Sequence, residues 1–325
     1  MNPMRLGFAV KVMARPDLPS NDARRFQSNP HLRVSIEYLR AIFGYLRDQN
    51  ITMYRMSSDI APYATHPDLP QFHGQIAECA AELAELGSAA RAQDLRLSLH
   101  PSQFVVLNSP DETLVRKSVA DLVAQAAILD AMELGPEAVV VLHVGGVYND
   151  REGSIERFIR RYELLPEAVR RRLVLENDDI RFSVGDVLRI HAATGVRLIY
   201  DYQHHMCFDR EGIPVAEALA AVLRTWPADV RPKIHFSTPR TEGKVVQRKN
   251  KTTGKNEDYL QAPVWTNHAD YINPFEFANV LRTVPEAVFD VMLECKLKDM
   301  ALLRLRSDLP RYAPDVARRF GLLET

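Results

Sequence analysis

The chain lacks the marks of several common protein classes. Its three cysteines, Cys79, Cys207 and Cys295, are widely separated and form no C-x-x-C pair, so neither a disulfide framework nor a zinc knuckle is indicated. No apolar run is long enough for a membrane span, and "MNPMRLGFAVKVMARP" at the start has an apolar stretch shorter than a signal peptide's, with no cleavage-like site after it. The expectation is a cytoplasmic protein with no membrane association. No glycine-rich dinucleotide fingerprint follows the first apolar run, no G-x-S-x-G elbow is present, and no cysteine lies in a nucleophile motif, so covalent catalysis lacks a carrier. An excess of positive charge is also missing. With 41 Lys and Arg against 42 Asp and Glu, the net charge of -1 excludes a protein that coats nucleic acid by bulk electrostatics. Any contact with DNA must rest on local positive charge.

What the chain does have is the composition of an ordinary folded protein, 46% hydrophobic and 26% charged, in 325 residues that lie within the range of a single barrel domain. Short apolar runs recur: "RLGFAV" from Arg5, "MYRMS" from Met53, "RLSLH" from Arg96, "AVVVLHV" from Ala138, "RLVLEN" from Arg172, "VRLIYD" from Val196, "PKIHFS" from Pro232 and "VFDVMLE" from Val288. Runs of this kind read as strands buried on both faces. Helical periodicity lies between them, as in "LRVSIEYLRAIFGYLRDQ", where Leu32, Ile36, Leu39, Ile42, Phe43 and Leu46 share a face. A second helix is expected after Ser109 as cap and Pro110 in the first turn. About eight strand–helix alternations without internal repeat predict an α/β fold, a (β/α)8 TIM barrel of one domain over 1–325. One segment breaks the pattern. "PRTEGKVVQRKNKTTGKNEDYLQAP", 239–263, is too polar and basic for the core and reads as an insertion at the catalytic face.

The predicted strands end in metal-seeking residues. His100 ends the third, His143 the fourth, Glu176 the fifth, Asp201 with His204 the sixth, His235 the seventh and Glu294 the eighth; His66 follows the second and His268 precedes the last. In a parallel barrel the carboxyl ends of the strands converge on one cavity. Imidazoles mixed with carboxylates suit borderline divalent ions, and several buried carboxylates need cations to offset their desolvation. Taken singly, each has a bland reading: His143 as a hydrogen-bonded structural residue, Glu294 as the partner of Lys296 or Lys233. His31, His73 and His191 fall in predicted loops or helices and are read as structural.

The ordered motifs "YRMSSDIAPYATHP", "LSLHPSQFVVLNSP", "VLHVGG", "LENDD", "DYQHH" and "RPKIHFST" resemble the ultraviolet damage endonuclease family, over Arg5 to about Lys296. The resemblance implies a xylose-isomerase-like metal-bearing barrel that nicks damaged double-stranded DNA immediately 5′ to ultraviolet photoproducts and at abasic sites. It implies that His100, His143, Glu176, Asp201, His204, His235, His268 and Glu294 hold about two or three divalent ions, manganese first, with zinc or magnesium as alternatives. It places His66 beside the cluster and matches Lys233 to a lysine carboxylated in the family, so that His66, Glu176 and Lys233 are the catalytic candidates; from sequence alone Lys233 serves equally as an ion-pair partner of Glu294. Gln103 and Phe104 match a Gln-Tyr pair that wedges into the duplex, Phe104 lacking the hydroxyl. Phe8 and Val12 stand at or near a tyrosine and an asparagine of the first strand. Arg240, Lys244, Arg248, Lys249, Lys251 and Lys255 on the insertion are the local phosphate contacts, or alternatively a solvated flexible loop. Two other functions compete: a sugar isomerase or epimerase on the same barrel, against which Gln103-Phe104 and the basic insertion argue, and a non-catalytic lesion-binding protein. No obligate protein partner is evident.

Overall fold

The structure, a computed structural model, describes residues 3–324. Eight parallel strands alternate with helices: β1 (Leu6–Ala9), β2 (Met53–Arg55), β3 (Arg96–Leu99), β4 (Val139–His143), β5 (Leu173–Glu176), β6 (Arg197–Ile199), β7 (Lys233–Phe236) and, after an antiparallel hairpin of β8 (Lys244–Lys249) with β9 (Asn256–Gln261), β10 (Asp290–Leu293). The order in the sheet is β6-β5-β4-β3-β2-β1-β10-β7. Between β6 and β7 the ladder thins to a parallel bridge of Asp201 with His235, where the His235 N–H donates to Tyr200 O at 2.9 Å. This nearly closed TIM barrel is the one predicted, and each of the eight apolar runs supplies one strand.

Strand alternation sorts the side chains. Leu97, Leu99, Leu173, Leu175, Ile234, Phe236, Val291 and Leu293 join the large apolar cluster that also holds Leu32, Ile36, Leu39, Ile42, Phe43 and Leu46 of the helix Leu32–Asp48. The alternate positions form the barrel interior, apolar at Val139, Val141, Val174 and Ile199 and polar around β7 and β10, where Asp290 pairs in register with Lys233, and Met292 with His235. Lys233, Asp290 and Arg96 lie low in the barrel and are buried; Glu176, Asp201, His235 and Glu294 lie at the strand ends and are buried too.

Two local expectations are corrected. The helix expected from Ser109 and Pro110 is Glu112–Ala131, capped by Asp111, whose carboxylate accepts from the N–H groups of Thr113 and Leu114. Ser109 instead accepts from Asp111 N. The basic insertion forms the β8–β9 hairpin, six residue pairs long and exposed along nearly its whole length. Its base is pinned by a bridge of Pro239 with His268 and by Arg240 N donating to Asn267 O. The arm and the His268 loop are thus one unit.

Candidate metal centre and nucleic-acid interface

Glu176, at the end of β5, is the hub of the rim. Its Oε1 lies 2.7 Å from His235 Nδ1 and 3.6 Å from His204 Nδ1, and its Oε2 lies 3.1 Å from His100 Nε2 and 3.7 Å from His143 Nε2. Glu294, from β10, adds His235 Nδ1 at 3.3 Å and His268 Nε2 at 3.8 Å. Asp201 completes the set, its Oδ1 3.7 Å from His204 Nδ1. Two overlapping groups have ligand atoms close enough to share an ion: His100, Glu176, His235 and Glu294, and Glu176, Asp201 and His204. The imidazoles follow the rim, with ring centres 5.3 Å apart for His100 and His143, 5.7 Å for His143 and His204, and 6.1 Å for His204 and His268.

The surroundings orient these ligand types. Asn177 bridges β5 to β6 by donating to Asp201 O and accepting from Asp201 N, and its own carbonyl accepts from His204 Nδ1 at 3.0 Å, leaving Nε2 for the cavity. His268 Nδ1 is held by Ser237 Oγ at 2.6 Å and Gln203 Oε1 at 3.0 Å, which turns its Nε2 toward Glu294. Arg55, at the end of β2, ion-pairs with Glu294, replacing both lysine partners considered from sequence. Arg55, Asn177, Gln203 and Ser237 were missed by sequence reasoning; Arg55 had a signal, a charged residue at a strand end like all the others.

The donor set fits divalent cations. Buried polar atoms at the rim have no hydrogen-bond partner among the described residues: Asp201 Oδ2, His143 Nδ1 and His235 Nε2. Burial, reinforced by Glu176 and Glu294, raises the Asp201 carboxyl despite His204. Burial by itself would lower His204, but Asp201, Glu176 and Glu294 push it up to about 10. Burial lowers His100 and His268 to about 4. A site that strains one carboxyl, Asp201, toward protonation and imidazoles toward both extremes is relieved by cations. Lys233 lies beneath, fully buried, its Nζ without a hydrogen-bond partner among the described residues; burial, with Arg96 and Arg55 nearby, holds its ammonium well below the usual lysine range.

Gln103 and Phe104 stand on the loop after β3, with Phe104 72% exposed. They line a 390 Å³ cavity with His143, His204, Tyr148 and Arg181. Tyr148, another residue not anticipated, has a left-handed backbone at φ 50°, and its ring lies 5.9 Å from the Arg157 guanidinium. Its loop begins at Gly145, φ 116°, where a Cβ would collide with Asn108 Oδ1, so only glycine fits.

Two expected residues stand outside the two ligand groups. His66 is exposed in the loop after β2, its ring against Tyr63 and its Nδ1 accepting from Asp68 N, outside both ligand groups, because that loop folds back on Phe72 and His73. Phe8 has no exposed surface: it faces the helices, packed edge-on against Tyr54 with ring centres 5.3 Å apart, while Gly7 and Ala9 occupy the alternate face of β1. Val12 is buried as well. His205 turns away to Ile213 O, and His31 and His191 serve as a helix cap and a backbone contact. Among the described residues no helix is long and apolar enough to cross a membrane.

Known proteins resemble this chain along most of its length. Residues 31–319 match the family model UV-endonuclease UvdE. The chain is 31% identical over 323 residues to a UV DNA damage endonuclease of Bacillus cereus (strain G9842), covering 94% of each, and 31% identical over 272 residues to that of Bacillus velezensis, covering 82% and 77%. The solved structure of SacUVDE superposes with a TM-score of 0.77 at 30% identity, over 95% of this chain and 98% of that one. A D-psicose 3-epimerase of Clostridium cellulolyticum H10, at TM-score 0.52 and 11% identity over 97% and 95%, shares the fold alone. The chain belongs to the UV-endonuclease UvdE family and is a DNA endonuclease of the DNA-repair type.

Proposed function

We propose that the protein hydrolyses the phosphodiester immediately 5′ to ultraviolet photoproducts, pyrimidine dimers and 6-4 photoproducts, and at abasic sites, at a centre of divalent ions. The observation that carries this reading is the pair of ligand groups sharing Glu176 beneath an exposed aromatic ridge. His100, Glu176, His235 and Glu294 would hold one ion, Glu176, Asp201 and His204 another, with His143 and His268 completing the rim; manganese is the metal we assign. Bound ions supply an activated water and neutralise charge on the phosphate. The protein's own groups do the rest. Asn177, Gln203 and Ser237 fix imidazole orientation, and Arg55 holds Glu294 ionised. Burial favours the free amine of Lys233, the form that takes up carbon dioxide, and its carboxylation adds anionic oxygens under the cluster. Phe104 and Gln103 enter the stack, and the cavity edged by Tyr148 and Arg181 takes the displaced lesion, whose poor stacking lowers the cost of extraction. His66 and Phe8, given their positions, are assigned no role.

The test uses irradiated duplex with one labelled strand. A nick on the 5′ side of the photoproduct that requires divalent metal and disappears in Glu176→Ala is expected; tight binding without a nick would leave a lesion-binding protein instead.

A further inference from the structure

The β8–β9 arm carries more than positive charge. In its antiparallel register Val245 faces Leu260, Gln247 faces Asp258 and Lys249 faces Asn256, and strand alternation puts these pairs on one face. On that face Val245 is 61% and Leu260 70% exposed. The other face is partly covered: Val246 is half-buried, and the Arg248 guanidinium lies over the Tyr259 ring. A Cβ at Gly243 would stand 3.2 Å from Leu260 Cδ1, so Leu260 leans along the ribbon toward its root. At the root Val264 and Trp265 are exposed as well, Trp265 by 60%. Apolar side chains thus run from the middle of the arm to the edge of the barrel, and a line of this kind marks a surface that a partner covers.

Two observations choose the partner. The first is charge: Lys244, Lys249, Lys251 and Lys255 are exposed around the apolar line, while Asp258 and Glu257 are engaged within the arm by Gln247 and Asn250. The partner is therefore a polyanion that also displays apolar groups. The second is position. Gln203 Nε2 donates to Trp265 O at 2.9 Å, and Oε1 of the same amide lies 3.0 Å from His268 Nδ1. The root of the arm is thus tied to the candidate metal rim, and a duplex seated at the rim passes along the arm.

We propose that the arm enters the major groove of the duplex flanking the lesion, with Val245 and Leu260 against the methyl groups of thymines and Trp265 covering the edge of the groove. The proposal rests on the endonuclease reading above and extends it from the lesion to its undamaged flank. A two-stranded ribbon is a shape the major groove admits, and the thymine methyl is the apolar group displayed there. Six residue pairs, at about 3.4 Å each, make an arm of about 20 Å. That length covers at most about six base pairs of duplex.

The test is a fluorescence titration with undamaged duplexes. Of the two tryptophans, Trp226 is buried with its indole N–H donating to Leu198 O, so Trp265 alone is exposed to DNA. Two duplexes of equal length carry thymine or uracil at the same positions and differ by the methyl groups alone. Both should quench wild-type emission, and the thymine duplex should bind about fourfold more tightly for each methyl covered. The double variant Val245→Ser, Leu260→Ser, altered only at exposed positions, should bring that ratio to about one. Trp265→Phe should lose the emission change and keep the thymine preference, read by anisotropy of labelled DNA. Around a single thymine dimer, with manganese, the same preference should appear in KM and not in kcat. A wild type without thymine preference, or a double variant that keeps it, overturns the groove contact. Self-association of the wild type that the double variant abolishes would assign the apolar line to a second copy of the chain and overturn it too. Thymine-dependent quenching without any nick overturns the endonuclease reading and leaves the arm's contact standing.

Discussion

Glu176 on β5 and His235 on β7 meet across the opening of the barrel, Oε1 to Nδ1 at 2.7 Å, although β6 lies between their strands. The contact exists because inward side chains from alternate strands of a parallel barrel share one layer. Glu176→Gln keeps the shape of this hub and removes its charge. It should lower metal content and reduce nicking at least about a hundredfold, with the fold intact by circular dichroism. Wild-type metal stoichiometry in this variant would show that Glu176 holds no ion.

Metal uptake should release protons. In the metal-free protein Asp201, Glu176 and Glu294 keep His204 protonated up to about 10, whereas a ligand imidazole must be neutral. The sign follows directly: at neutral pH a proton must leave before Nε2 binds metal, so affinity rises with pH until the group is deprotonated. About one proton per chain should be released at pH 7, and affinity should gain about tenfold per pH unit. Calorimetry in buffers of different ionisation enthalpy measures the release, and His204→Asn should abolish that proton.

The rim was legible because a parallel barrel needs nothing beyond strand ends to place it: His100, His143, Glu176 and Glu294 each follow an apolar run, and geometry gathers them. The positions of His66 and Phe8 depend on contacts that no local pattern carries. His66 is set by how Tyr63 turns at positive φ and packs on Phe72, partners fixed only by tertiary folding. Phe8 was readable in principle. Gly7 sits where a Cβ would meet the Met53 side chain at 2.7 Å, so β1 turns its small residues inward and Phe8 must face the helices. Asn177 and Gln203 act on histidines brought near by the fold, and an amide carries no sequence signal for that.

At the opposite end of the barrel interior, Asp290 is fully buried and accepts from Arg5 N at 2.9 Å, Arg5 Nη1 at 3.1 Å, Arg96 Nη1 at 2.8 Å and Arg231 Nη1 at 3.4 Å. Burial raises its carboxyl, but Arg96 and Arg5 outweigh it and the value is lowered. A carboxylate depressed in the fold stabilises it above the unfolded value of about 3.9 and loses that contribution as pH falls through the lower folded value. Asp290→Asn leaves Arg96 buried beside no anion and should cost about 3–5 kcal/mol at pH 7. Chemical denaturation should also show a flatter loss of stability below about pH 4 than in the wild type; equal slopes would locate the acid sensitivity elsewhere.

The last prediction concerns the hairpin. Lys244, Arg248, Lys249, Lys251 and Lys255 all lie on exposed backbone of the β8–β9 arm, and Arg248 is stacked 4.0 Å from the Tyr259 ring centre. Arg240 differs: Asp270 holds it at 3.1 Å, near the base of the arm. The five distal cations are therefore the ones available to phosphates, and they rise from the same loop that carries His268. A two-stranded ribbon with both faces uncovered is marginal in isolation, and DNA laid against it would supply the missing partner surface. Replacing the five by Gln should leave nicking of a short duplex at low salt nearly unchanged, because none touches the rim. The slope of log affinity against log salt should fall by about 0.9 for each phosphate that the arm no longer neutralises. An unchanged slope would place the arm off the DNA, while Arg240→Gln, already neutralised by Asp270, should change the slope little and serves as the internal control.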